Sequence, residues 1–389
     1  GDANRVTRVL IDGRIDGHDG IGRYTTCLIR ALRSQAGPTV TITVLPPTGT
    51  PRYSRAEGTE LREAARACGA NLIHVLDYRV PLEPTTIPLV VTIHDILRLA
   101  RPEFCYPDDQ FAERFGTTGL ANLSTVTFAL RRLTDPPQGA RPAPEGLHEE
   151  FYARMLAVAC ARASAVVAPT HAVARQLAAA VGHDRSVRVS AWGIDHLPAH
   201  RAPTADRVPV AVDGRYLLYV GQARTHKGLD TLLDAYQGSR APEVGVRLVC
   251  AGRDFADGTH IARSIRDRLG GAVMTLGSVS DTTLRALYAD ADSLVHLAEH
   301  EGFGFTPLEA LAAGTRVLAS DIPVLRETLA DHALFADPAD TAAVAKAINH
   351  VIATPDEPSC RHRRARWARR YRWSRHADDI LALYREAAP

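Results

Sequence analysis

The sequence predicts an α/β protein of two doubly wound domains, each a parallel sheet flanked by helices. Two observations carry this reading. Short apolar runs alternate with stretches of helical periodicity along most of the chain, the pattern of parallel strands joined by crossover helices. The chain has 389 residues, too many for one ordinary core.

The elements follow in order. In a first domain over 1–195, apolar runs place strands at Val9–Ile11, Val40–Val44, Leu72–Val75, Leu89–Ile93, Ala165–Ala168 and Val187–Val189. Helical periodicity covers Gly22–Ser34, Glu60–Cys68, Glu149–Arg162 and Ala172–Val181. The segment 115–147 breaks the rhythm, with the loop signals Thr134–Gly139 and Ala140–Glu145. Two readings stand for it: an irregular excursion or lid, or a disordered insertion without a role.

A linker is expected over 196–213, where Pro, Ala and Arg replace the apolar rhythm. The second domain, 214–372, places strands at Tyr216–Val220, Arg247–Ala251, Val273–Leu276, Ser293–Leu297 and Arg316–Ala319. Its helices are expected at Leu229–Tyr236, Thr259–Leu269, Thr282–Tyr288, Pro307–Ala313 and Ala339–Ile352. A closing helix within 373–389 follows, with a return to the first domain as one option. Open α/β sheets bind ligands at the carboxyl ends of their strands. Two such domains facing across a cleft would bring two ligands together.

Composition narrows the class. Hydrophobic residues make up 46% and charged residues 23%, which is globular usage. A net charge of +2 gives no general case for nucleic acid or anionic lipid. No apolar run approaches the roughly 20 residues of a membrane-spanning helix, and Gly1–Val9 lacks a signal-peptide core. The six cysteines are scattered without CxxC spacing, which favours buried thiols over disulfides or metal ligands and predicts a cytoplasmic protein.

The stretch Glu301–Gly314 is the most informative. Gly302 and Gly304 permit close backbone approach to a ligand, and Pro307 suits the first turn of a helix. The positive end of such a helix favours a phosphate. Glu301 and Glu309 flank this start. Both on one phosphate would be electrostatically wrong. They make sense as acceptors from sugar hydroxyls on either side of a diphosphate.

This stretch resembles the E-G-F-G-x-x-x-L-E-A signature of retaining GT-B glycosyltransferases, the family-4-like group with a Glu-x7-Glu motif. Glu301, Gly302, Phe303, Gly304, Leu308, Glu309 and Ala310 match it. The resemblance implies the GT-B fold, two Rossmann-like domains facing across a cleft. It also implies that Glu301 binds the transferred sugar, that Phe303, Gly304 and Phe305 offer backbone amides to sugar and phosphate, and that Glu309 holds the ribose. Tyr219–Gly228 resembles the family's diphosphate loop, with Lys227 at the Lys position. Gln222 stands where an Arg is usual, so Arg224 takes that role or is a solvated charge. Val279, in the loop 277–281, is placed near the base. Gly20 and Gly22 lie in Gly-Ile-Gly-Arg-Tyr, the counterpart glycine loop. His94, followed by Asp95, ends a strand and would stand beside the transferred sugar.

Asp77, Tyr78, Asp16 and Asp95 are assigned to the acceptor side. Acids there would suit a cationic, amino-bearing acceptor. The resemblance implies hexosyl transfer with retention from a nucleoside-diphosphate sugar, UDP before GDP, and the acid-lined N-terminal half suits a small-molecule hydroxyl acceptor such as an aminocyclitol or other secondary-metabolite core. The resemblance implies no cofactor and no metal, and Asp290-Ala-Asp292 is read as structural. Coupling of non-sugar cyclitols, a lipid or polysaccharide acceptor, and a binding subunit without turnover are the rival readings. The Arg-rich tract 361–372 is read as a solvated charged face, and it alone would favour lipid.

Overall fold

The computed structural model describes residues 6–15, 20–182, 187–197 and 212–389. The chain divides into two compact units. Unit 1 comprises Gly1–Gly193 with Trp373–Pro389, and unit 2 comprises Ile194–Arg372.

Unit 1 runs β1 (Thr7–Asp12), α1 (Gly20–Gln35), β2 (Val40–Leu45), α2 (Arg55–Ala67), β3 (Leu72–Val75), β4 (Leu89–Thr92), α3 (Leu97–Ala100), α4 (Asp108–Leu133), α5 (Leu147–Arg162), β5 (Ala165–Ala168), α6 (His171–Val181) and β6 (Arg188–Val189). Among the described residues its sheet has six parallel strands in the order β2-β1-β3-β4-β5-β6. β3 and β4 are buried throughout, as a sheet covered on both faces requires.

Unit 2 runs β7 (Tyr216–Val220), α7 (Leu229–Gly238), β8 (Arg247–Ala251), α8 (His260–Leu269), β9 (Val273–Leu276), α9 (Asp281–Asp290), β10 (Ser293–His296), α10 (Phe305–Ala312), β11 (Val317–Ser320), α11 (Pro323–Leu329), β12 (Leu334–Ala336), α12 (Thr341–Ala353) and α13 (Pro358–Ala368). Its parallel sheet has the order β12-β11-β10-β7-β8-β9. Strand order therefore reverses between β7 and β10, which opens a crevice at their carboxyl ends. Side-chain caps start several helices: Thr259 accepts from Ala262, Ser280 from Thr283 and Asp340 from Ala343.

The last helix, α14 (Trp373–Ala387), packs on α1 in unit 1. Its inward face joins a buried polar chain. His74 bonds Tyr384 Oη at 2.6 Å and Thr92 Oγ1 at 2.8 Å. Tyr24 Oη lies 3.0 Å from His376 Nε2, and His376 Nδ1 lies 2.7 Å from Ser190 Oγ. Burial holds the His74 and His376 imidazoles down at about 3, so both are neutral.

Three expectations need correction. The segment 115–147 is not wholly irregular: α4 fills it as far as Leu133 and packs on α5 through Leu123, Val126 and Leu130. It kinks at Gly116, whose φ is +77°. The second unit starts at Ile194, and His196, assigned to the linker, is a buried part of it. Residues 198–211 of that linker lie outside the described residues. The arginine tract is not simply solvated. Arg364 is buried, bridges Asp356 at 2.6 Å and donates to the Gly314 carbonyl behind α10. Arg361 donates to the Ala289 carbonyl at 3.0 Å.

Candidate active site

Two loops leave the carboxyl ends of β7 and β10, at the strand-order reversal of unit 2. The first, 221–228, ends in a single 3₁₀ turn over Thr225–Lys227. Gly228 closes it at φ +68°, and a Cβ there would meet the Leu297 carbonyl oxygen at 2.2 Å. Only glycine fits so close an approach. The second loop, 297–304, is tied to the first by the Glu299 amide donating to the His226 carbonyl at 2.9 Å.

This contact brings together residues 74 positions apart. Lys227 Nζ donates to Glu301 Oε1 at 2.6 Å, and His296 Nε2 donates to the same oxygen at 3.0 Å. Burial would raise the Glu301 carboxyl. The Lys227 charge and the His296 hydrogen bond outweigh it and hold the group well below the usual carboxylate range. Glu301 is thus a fixed anion, and Lys227, assigned to the diphosphate, is seated against it.

The Glu301 loop runs into α10 through Gly304, which takes φ +89°. A Cβ there would meet Leu325 Cδ2 at 2.8 Å. Phe303 is fully buried, edge-on to Phe305 and Tyr371 at 5.5 Å each, and anchors the loop below the helix start. The amino end of α10 carries the positive pole of its dipole beside Glu301 and Lys227. Gly302 is buried within this loop.

Glu309 is buried on α10. Its Oε1 accepts from His196 Nε2 at 2.8 Å and its Oε2 accepts from Tyr288 Oη at 2.9 Å. Both oxygens assigned to ribose therefore already hold protein donors. Arg224 is exposed and Val279 half-buried. Gln222 gives its carbonyl to Tyr219 Oη at 2.8 Å. Asp292, of the Asp-x-Asp sequence, pairs with Arg215 at 2.8 Å.

In unit 1 the candidates lie at the carboxyl ends of β1, β3 and β4. Gly20 and Gly22 form the first turn of α1, Gly20 exposed and Gly22 buried. Asp16 lies outside the described residues. His94 is buried, with Nε2 donating to the Leu76 carbonyl at 2.6 Å and its ring 4.8 Å from Tyr24. Burial lowers its pKa, which favours the neutral ring. Its proton then sits on Nε2, and Nδ1 has no partner among the described residues. Of the acceptor-side acids, Asp77 is paired with a cation and Asp95 is held by a backbone amide. Asp77 accepts from the Arg79 amide at 2.8 Å and from Arg79 Nε at 2.7 Å, and Asp95 accepts from the Leu97 amide at 2.8 Å. Tyr78 packs on Tyr152 at 4.6 Å.

Comparison with known proteins fits this arrangement. The family model described as "Glycosyl transferases group 1" matches residues 204–371, the span of unit 2. The chain has the GT-B fold. It superposes on sucrose-phosphate synthase from Thermosynechococcus elongatus with a TM-score of 0.68 at 19% identity, covering 98% of this chain and 99% of that one. It superposes on Anabaena HepE, solved in complex with UDP-glucose, with a TM-score of 0.62 at 16% identity, covering 97% and 98%. In sequence it is 31% identical over 243 residues to D-inositol 3-phosphate glycosyltransferase of Geodermatophilus obscurus, covering 59% of this chain and 54% of that protein. The chain spans about half or less of the curated relatives it matches, O-antigen chain mannosyltransferases among them.

Sequence reasoning missed three side chains of the group 1 domain. His296 orients Glu301, and His196 and Tyr288 hold Glu309. A histidine closing a strand at the reversal point was a usable signal for His296. His196 and Tyr288 reach Glu309 across 113 and 21 residues, and no local pattern announces either.

Proposed function

We propose that this protein is a retaining glycosyltransferase that moves a hexose from a nucleoside-diphosphate sugar to a hydroxyl of a small polyol. One observation carries the reading: Lys227, Glu301 and the start of α10 converge at the strand-order reversal of a group 1 glycosyltransferase domain. A cation and a helix amino terminus suit a diphosphate leaving group, and a fixed carboxylate suits sugar hydroxyls. The UDP-glucose complex of HepE supports UDP as the base to test first. The relative named for D-inositol 3-phosphate supports a cyclitol-type acceptor. The ion pair of Asp77 with Arg79 weakens the argument for an amino group on it.

In the reaction, the anomeric carbon–oxygen bond to the diphosphate breaks as the acceptor oxygen bonds the same carbon from the same face. The acceptor's proton passes to the departing phosphate oxygen. Lys227 and α10 stabilise the charge that builds on that oxygen. His94, neutral and buried, sits on the acceptor side with Nδ1 able to accept a hydrogen bond. These side chains supply the chemistry without a metal or a cofactor.

The test is nucleoside-diphosphate release from UDP-, GDP- and ADP-sugars, with and without myo-inositol and its phosphates. Acceptor-dependent release is expected, falling about 10²-fold or more in Lys227→Ala and Glu301→Ala. No release with any pairing, or wild-type rates in both variants, would end this reading.

A further inference from the structure

One guanidinium of unit 1 carries a buried donor without an acceptor among the described residues. Near the carboxyl ends of β3 and β4, Asp77 pairs with Arg79, Glu57 pairs with Arg79 at 3.0 Å, and Glu149 pairs with Arg141 at 2.8 Å. Asp95 and Asp108 accept from the Leu97 and Leu147 amides at 2.8 and 2.9 Å. Arg98, on α3, has no carboxylate partner among the described residues. Its Nε is sealed from solvent without a hydrogen bond, although the side chain as a whole is only half-buried. A guanidinium is permanently charged, and burying one without a counter-ion costs several kcal/mol.

A second donor is stranded beside it. His148 is fully buried. Its Nδ1 accepts from the Tyr106 amide at 3.0 Å, so its proton is on Nε2. That Nε2 has no acceptor. Burial and the neighbouring Arg98 charge push the imidazole down to about 3, so it is a neutral donor. The two groups are joined through the chain: Cys105 Sγ donates to the Arg98 carbonyl at 3.8 Å, and Tyr106 follows it. Tyr53, Tyr78 and Tyr152 complete the surround. Tyr53 faces His148 at 5.6 Å, and Tyr78 faces Tyr152. All three tyrosines lie close enough to couple electrostatically to Arg98. Buried polar groups are nearly always satisfied, so Arg98 Nε and His148 Nε2 each call for an acceptor that the described residues do not supply.

We propose that Arg98 and His148 form a subsite for an oxyanion, phosphate or carboxylate, carried by the acceptor. The assignment to the acceptor rests on the proposed function, whereas the anion site does not. An oxyanion would neutralise the guanidinium, take its Nε–H and accept from His148 Nε2. Arg98 is partly buried rather than sealed as a whole, which leaves its guanidinium within reach of solvent. The acceptor is then an anionic polyol rather than a cationic one.

Calorimetric titration with inorganic phosphate tests this, at saturating UDP so that the donor site is occupied, and again in Lys227→Ala. Acetate is the parallel probe for a carboxylate. Wild type is expected to bind at least one of the two anions. Arg98→Gln should weaken that binding 10-fold or more, and Arg98→Lys should restore part of it. UDP should stabilise all of these Arg98 variants equally, which shows that they are folded. Absence of binding by either anion, or equal binding by Arg98→Gln, overturns the subsite. Failure of UDP to bind at all strikes the donor reading instead, and the Lys227→Ala titration still judges Arg98.

Discussion

Glu301 is the residue where electrostatics and function meet. It is an anion held by Lys227 and His296, which keep its pKa well below the ordinary carboxylate range. A depressed carboxylate stabilises the fold fully above its unfolded pKa, and that contribution fades as pH falls toward the folded value. Glu301→Gln should therefore melt below wild type at pH 7, with the gap narrowing as pH drops below about 4.5. Melting curves from pH 7 to pH 3 check the sign, and a gap that widens in acid would contradict it. Glu309 makes a different case. With both oxygens engaged by His196 and Tyr288, Glu309→Ala strands two buried donors. Loss of stability by about 1–3 kcal/mol is expected alongside any loss of donor affinity, read by denaturant titration.

At the scale of elements, the site depends on two tight approaches. Gly228 lets the Lys227 turn lie on Leu297, and Gly304 lets the Glu301 loop enter α10 beneath Leu325. Gly228→Ala combines a positive φ with a Cβ pressed on backbone, so it should cost more than Gly304→Ala, whose nearest obstacle is a movable leucine end. We expect at least ~2 kcal/mol for Gly228→Ala and a large fall in donor affinity. Thermal unfolding and UDP titration measure the two effects. The docking of α14 rests on a different device, the polar chain from Ser190 through His376 and Tyr24 and from Thr92 through His74 to Tyr384. Tyr384→Phe removes the partner of His74 Nδ1 while keeping the ring. It should destabilise unit 1 by about 1–3 kcal/mol, seen as earlier hydrogen exchange in α1 and α14.

For the whole molecule, two units with separate cores predict separable responses. Nucleotides bound by the group 1 domain should raise the melting of 194–372 and leave the exchange protection of α1 and α14 unchanged. Hydrogen exchange with and without UDP distinguishes this from uniform protection. Much of this organisation was legible in the chain. The strands read from apolar runs match the sheet closely, because strands buried on both faces carry uninterrupted Val, Leu and Ile. The Glu301–Gly304 turn was legible because a glycine-bearing strand-to-helix turn has few other uses. α4 was not legible in the sequence. Gly116, Thr117, Thr118 and Gly119 are poor helix formers, and the helix exists because Leu123, Val126 and Leu130 bury against α5.

The sequence alone determined the two α/β halves and the glycine-bearing loop before α10, because each is written in local spacing of apolar residues and glycines. The tertiary structure alone decided which charges are used up and which remain. Asp77 is spent on Arg79 and Glu309 on His196 and Tyr288, Lys227 is seated on Glu301, and Arg98 has no carboxylate partner among the described residues. Pairing of that kind depends on distances of a few ångströms between residues far apart in the chain, and a linear order of residues does not record those distances.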